Sequence, residues 1–287
     1  MTKKVEIPAQ SLQIPKPIII TAKFLEAISP KLVTHFAAKL FSTPLKHKIP
    51  KRELEMDKNT LQQKIMVPSI NKEIVVYRYG ESQRKILLVH GWSGRGTQLA
   101  KIADEFLNLG FETVSFDAPA HGKSKGNTTL MPEFIASILE IEKQFGPFEY
   151  AIGHSLGGMS ILNAIKQNLK INKAVIIGSG DSVQDIIDDF ISKLQLKPKY
   201  GILLKNYFEK KNNATMDSFS AYNAAKEVKI PILIIHDEND DEIPVAAAYH
   251  IQKHLENSEI VITKGLGHRK ILGDKVVIEH IKSFLAN

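Results

Sequence analysis

Short β-branched strands alternate with amphipathic helices along most of this 287-residue chain, and that alternation narrows its fold more than any other feature. "EIVVYRYG" (73–80), "KILLVHGW" (85–92), "ETVSFDAP", "YAIGHS", "KAVIIGSG", "PILIIHDE" and "EIVITKG" read as strands bounded by turn residues. Between them, "GTQLAKIADEFLNLG" sets Leu99, Ile102, Phe106 and Leu107 on one helical face and stops at Gly110. "MPEFIASILEIEKQFG", "LGGMSILNAIKQNL" and "DKVVIEHIKSFLA" continue the helical pattern. Strands apolar on both faces must be covered on both sides, so the expected fold is α/β with a mostly parallel, doubly covered sheet.

The rhythm breaks between Asp181 and Lys229, where "SVQDIIDDFISKL" and "GILLKNYFEKK" are helix-like and no strand is convincing before Ile230. The expected organisation is a core of 53–180 and 230–287, with 181–229 a small helical cap inserted after the sixth strand. Residues 1–52 form a basic, partly helical N-terminal arm.

Charge separates the arm from the rest. It holds ten Lys/Arg against two acids, whereas the remaining 28 basic and 29 acidic residues nearly cancel. Neither interleaved aromatics nor a nucleic-acid-binding module accompanies the basic residues, which argues against a nucleic-acid partner. Ser29-Pro30 is a good helix start, and "PKLVTHFAAKLF" follows with Leu32, Val33, Phe36, Leu40 and Phe41 on one side. Two readings stay open: a helix packed on the domain, or a basic amphipathic helix in weak contact with a membrane surface or a partner. No secretory pattern opens the chain and no apolar run approaches the length of a membrane span, so the expected location is cytoplasmic. The absence of cysteine fits that location and removes thiolate metal sites, disulfides and a cysteine nucleophile. Oligomeric state is left open.

Chemistry concentrates at "AIGHSLGGMS" (151–160), where Gly153-His154-Ser155-Leu156-Gly157 has the G-x-S-x-G spacing with a strand before it and a helix after. A sharp strand-to-helix turn needs small residues two before and two after the serine. It lifts the hydroxyl above the sheet, which makes Ser155 the candidate nucleophile. The amide of Leu156 at the helix N-terminus is one candidate oxyanion donor, and that of Trp92 in "LLVHGWSGRG" the other. The base should come late in the chain, after the acid. His268, on a glycine-flexed loop past the last strand, is the best of ten histidines; His90, His121 and His154 sit in glycine-flanked turns and suit loop shaping. Five acids crowd "HDENDDEIP". Asp240 is favoured because it lies a short loop beyond the strand, with Asp241 or Asp237 as fallback and Asp181 as a further alternative.

With these residues placed, the chain resembles the α/β-hydrolase superfamily over nearly its whole length beyond the arm. "HGW" is similar to the family's oxyanion loop, "FDAPAHGKS" (116–124) to its D-x-P-G-x-G-x-S loop, "GHSLGG" to its nucleophile elbow, and "HDENDDEIP" to its H-G-x-x-D-x-x-V-P segment. The resemblance implies the acid at Asp240 and the histidine at His268. Ala120 and Asp237 depart from it, each standing where the family motif has glycine. The implied activity is a serine hydrolase of carboxylic esters or thioesters, needing no cofactor or metal. An acyltransferase with the same triad and a non-catalytic binding protein on the same fold are the rivals.

Overall fold

The structure is a computed structural model and describes residues 14–286; the first thirteen residues of the basic arm lie outside them. Three helices precede the sheet: α1 (Lys16–Ile28), α2 (Pro30–Phe41) and the short α3 (Leu54–Asn59). Eight strands follow: β1 (Leu61–Val67), β2 (Lys72–Tyr79), β3 (Lys85–Val89), β4 (Glu112–Asp117), β5 (Tyr150–His154), β6 (Lys173–Ile177), β7 (Ile232–Asp237) and β8 (Ser258–Thr263). They form one sheet in the order β1-β2-β4-β3-β5-β6-β7-β8. β2 runs antiparallel to both neighbours, and every pair from β4 to β8 is parallel.

The connecting helices are α4 (Ala100–Asn108), α5 (Met131–Phe145) and α6 (Leu156–Lys166), then α7 (Val183–Lys193), α8 (Lys199–Asn212) and α9 (Ala221–Ala225) between β6 and β7. α10 (Ala246–His254), α11 (Gly267–Lys270) and α12 (Lys275–Ala286) complete the chain. Strand side chains alternate between two buried clusters. Leu87, Val89, Ile176 and Ile234 face one, and Ile86, Leu88, Val175 and Ile235 face the other. Both faces of β3 to β7 are therefore buried, as their unbroken apolar runs require, whereas β8 at the edge of the sheet has no fully buried residue. Among the described residues no helix is long and apolar enough to cross a membrane.

Three features differ from the sequence reading. β1 was not expected: "LQQKIMV" buries only Ile65 and Val67, because it is an edge strand, so its apolar period is faint. α1 was not expected either, and it buries only Ala22 completely. Ser29 and Pro30 do start α2, but the Ser29 side chain makes no capping hydrogen bond. Ala22 of α1 and Val33, Ala37 and Ala38 of α2 belong to the same buried cluster as the sheet, so the described part of the arm is built into the core.

The chain passes from β3 to β4 on one side and later adds β5 on the other side of β3, which opens a crevice at the carboxyl ends of these strands. The loops after β3, β5, β6, β7 and β8 all emerge there.

Candidate active site

β5 runs straight into α6 through Ser155, whose backbone is held at φ 53°, ψ −120°. A side chain rarely adopts that conformation, and its cost, on the order of 1–3 kcal/mol, is met by the packing around it. The flanking glycines show why. A Cβ on Gly153 would stand 2.6 Å from the Gly157 carbonyl carbon, and one on Gly157 would stand 2.3 Å from the Val89 oxygen. Only hydrogen fits at either position, so strand, turn and helix close tightly under the serine. The Ser155 amide is spent on the Ile177 carbonyl (2.8 Å), which ties the elbow to β6.

The loop after β3 lies directly against this elbow, since a Cβ on Gly91 would come within 3.0 Å of the Ser155 Cβ. Two buried imidazoles fix its path. His90 Nε2 accepts from the Ala118 amide (3.1 Å) while its Nδ1–H donates to the Gly91 carbonyl (2.7 Å). His121 Nε2 accepts from the Ser93 amide (3.1 Å), and its ring meets Trp92 edge-on at 5.4 Å. Burial pushes both below the ordinary histidine value, His121 to about 4, so both are neutral and can accept from an amide. Among the described residues, the amides of Trp92 and Leu156 donate to no protein acceptor, and both residues line the same cavity as Ser155. Two free N–H groups beside a serine suit an anionic oxygen.

Asp240 and His268 meet across the ends of β7 and β8. His268 Nδ1–H donates to Asp240 Oδ2 at 2.7 Å, with both side chains almost wholly buried. Burial alone would raise the Asp240 carboxyl. The His268 hydrogen bond and charge, with the amides of Ile243 and Glu242 on Oδ1 (2.9 Å each), outweigh it and hold the group below its ordinary value. Of the alternatives, Asp241 is exposed and the other two are engaged elsewhere. Asp237 accepts from Thr263 Oγ1 (2.7 Å), Leu266 (3.0 Å) and Asn239 (3.0 Å), which braces the turn into α11, the short helix rather than loop that carries His268. Asp181 pairs with His250.

Two contributors were missed as parts of this assembly. His154 Nε2–H donates to the His268 carbonyl at 2.8 Å, so the residue before the serine anchors the histidine 114 positions later. No local pattern reveals a contact of that range. Gly178, after β6, has φ +57° and leaves just enough room for the pair: a Cβ there would lie 3.3 Å from His268 Nδ1 and 3.4 Å from Asp240 Oδ2. The second motif also has a structural task. Buried Asp117 accepts from Tyr77 Oη (2.8 Å) and from the amides of Gly96 (2.7 Å) and Lys123 (2.6 Å), stitching the crevice loops together.

Ser155 opens into a cavity of about 340 Å³ walled largely by apolar side chains, among them Ile18, Phe41, Trp92, Met159, Ile186 and Phe190.

A strained serine on a strand-to-helix turn, a buried carboxylate–imidazole pair and a mostly parallel eight-stranded sheet define a hydrolase-type α/β protein. The chain belongs to the alpha/beta hydrolase family, whose family model matches residues 86–275. It is 22% identical over 250 residues to an (R)-3-hydroxydecanoyl-ACP:CoA transacylase from Pseudomonas putida, covering 73% of this chain and 84% of that protein. Its fold is similar to that of an esterase from Exiguobacterium antarcticum, with a TM-score of 0.63, 16% identity, and coverage of 79% of this chain and 100% of that one. It is also similar in fold to a bromoperoxidase from Bacillus anthracis, with a TM-score of 0.60, 16% identity and the same coverage.

Proposed function

We propose that the protein is a serine hydrolase that cleaves carboxylic esters or thioesters through an acyl-enzyme on Ser155. His268 takes the Ser155 hydroxyl proton through Nε2 as Oγ attacks the carbonyl carbon, and Asp240 stabilises the imidazolium through Nδ1–H. The oxyanion is held by the amides of Trp92 and Leu156. As the carbon–oxygen or carbon–sulfur bond breaks, His268 returns its proton to the leaving group. Water, deprotonated by the same imidazole, then attacks the acyl carbon, and Ser155 recovers its proton when the acid leaves.

One observation carries this reading: the buried 2.7 Å His268–Asp240 hydrogen bond, tied by the His154 bond to the His268 carbonyl (2.8 Å) to the elbow that holds Ser155 at φ 53°. A structural turn has no need of a strained serine, and a structural ion pair has no need to be tied to the turn that carries one. The apolar cavity supports a carbonyl substrate with a hydrocarbon acyl part. We read α7–α9 as the cap over that cavity, since Val183, Ile186 and Phe190 line it.

A second reading is acyl transfer to an alcohol or thiol, favoured by the transacylase from Pseudomonas putida. The covalent half-reaction is identical, and only the deacylating nucleophile differs. The test is a series of nitrophenyl esters and acyl-CoA thioesters with intact enzyme and Ser155→Ala, with and without an added thiol acceptor. Loss of turnover in Ser155→Ala by roughly a thousandfold or more is expected; undiminished turnover would overturn the mechanism. Product formation that depends on the acceptor would decide for transfer.

A further inference from the structure

The helices that precede the sheet reach the candidate active site. Ile18 of α1, Leu40 and Phe41 at the end of α2, and Leu45 just beyond line the same cavity as Ser155. Val183, Ile186 and Phe190 of α7 form a facing wall. The two walls meet at Phe41, whose ring packs edge-on against Phe190 with centroids 5.2 Å apart and lies 5.7 Å from Phe208 of α8. This seam is anchored, because Ala22, Val33, Ala37 and Ala38 behind it are buried in the main core. The charged lining residues are engaged with protein partners. Asp189 and Lys193 pair with each other at 2.6 Å, and Glu242 accepts from Arg269 at 3.1 Å. The remaining wall is overwhelmingly methyl, methylene and ring surface. At about 340 Å³ the space lies near the small end of ligand pockets.

Resting on the Ser155 chemistry proposed above, we infer that this protein acts on medium-chain acyl groups. The arm and α7 together form the acyl-binding wall, and the Phe41–Phe190 pair sets the length of chain admitted. A wall made mostly of apolar side chains, with its charges already paired, favours hydrocarbon over polar or ionic substituents. It gains affinity from each methylene it removes from water, until the chain meets the ring pair. That gain, about 0.8 kcal/mol per methylene, is roughly fourfold in kcat/KM for each carbon added.

The test is the kcat/KM profile across nitrophenyl esters from acetyl to palmitoyl. It is run on intact enzyme, on Phe41→Leu and Phe190→Leu, which shorten the rings at the seam, and on Ile186→Phe, which fills the cavity. Intact enzyme should climb by roughly fourfold per carbon and turn over at medium length. The turning point should move to longer chains in the two leucine variants and to shorter ones in Ile186→Phe. A flat profile, or a turning point that stays fixed in all three variants, would overturn the inference. Trp92, the sole tryptophan, lines the cavity, so its fluorescence reports occupancy without catalysis. Titration of Ser155→Ala with saturated fatty acids should give the same length preference, and no fluorescence response at any length would also overturn it. Activity retained in Ser155→Ala would instead refute the catalytic reading, and the titration would still test the wall.

Discussion

Lowering the pH from 7.5 to 5.5 should destabilise this protein measurably, because it buries histidines whose protonation burial opposes. His90 and His154 are driven well below their ordinary value by burial, and His121 is pushed down to about 4. His236 is lowered too, by burial only partly offset by the Ile243 carbonyl and Asp240. In the unfolded chain each titrates near 6.5, so below that pH the unfolded state binds protons that the native state refuses. The sign follows: stability rises with pH across this window and is lost as pH falls through 6.5. Two pH units cost about 1.4 kcal/mol for His121, whose folded value of about 4 lies below the whole window, and His90, His154 and His236 add losses of the same sign. Against a typical total of about 5–15 kcal/mol, the His121 contribution alone is large enough to measure. The carboxyls of Glu53, Asp117 and Asp181, raised by burial, act with the opposite sign and flatten the curve toward its acid end. The assay is urea unfolding followed by circular dichroism at half-unit steps of pH. His121→Gln isolates one group: whatever it does to stability at pH 7.5, its loss between 7.5 and 5.5 should be smaller than that of the intact protein by about 1.4 kcal/mol. A flat profile for the intact protein, or parallel profiles for the two, would refute the reasoning.

The acids near the strand end should separate by phenotype. Asp240→Asn should lower kcat by about 10³–10⁴, since the carboxylate facing His268 is lost. Asp237→Asn should act chiefly on melting temperature, because that group braces a loop; equal kinetic losses in both variants would contradict the assignment. Gly178→Ala adds a Cβ at φ +57° against both His268 and Asp240, so kcat should fall by roughly tenfold or more while the fold persists; unchanged kcat would show that the pair has slack. Ala120 is buried at φ 66° where the family motif has glycine, so Ala120→Gly relieves a strained backbone. It should be neutral or mildly stabilising by thermal unfolding, and a loss above about 1 kcal/mol would count against strain there.

What the sequence revealed were the features with local causes. The buried strands are continuous apolar runs, and the elbow is a five-residue steric pattern whose glycine requirement reappears in the 2.3–2.6 Å that an added Cβ would have to backbone atoms. β1 escaped because an edge strand with two buried residues has almost no period to read. The acid stayed ambiguous because Asp237 and Asp240 differ only in what stands opposite them, Thr263 and Leu266 for one and His268 for the other. His154 looked like a turn residue because its partner is the carbonyl of His268, far along the chain. The arm's share of the cavity was illegible for the same reason: Phe41 meets Phe190 through the packing of helices that the sequence separates by some 150 positions.

Covalent labelling tests the proposed Ser155 nucleophile most directly. Intact enzyme treated with a fluorophosphonate should carry one adduct, located by peptide mass mapping on Ser155. The labelling rate should fall by at least roughly a hundredfold in His268→Ala, in which the serine has lost its base. An adduct on another residue, or an undiminished rate in His268→Ala, would contradict it.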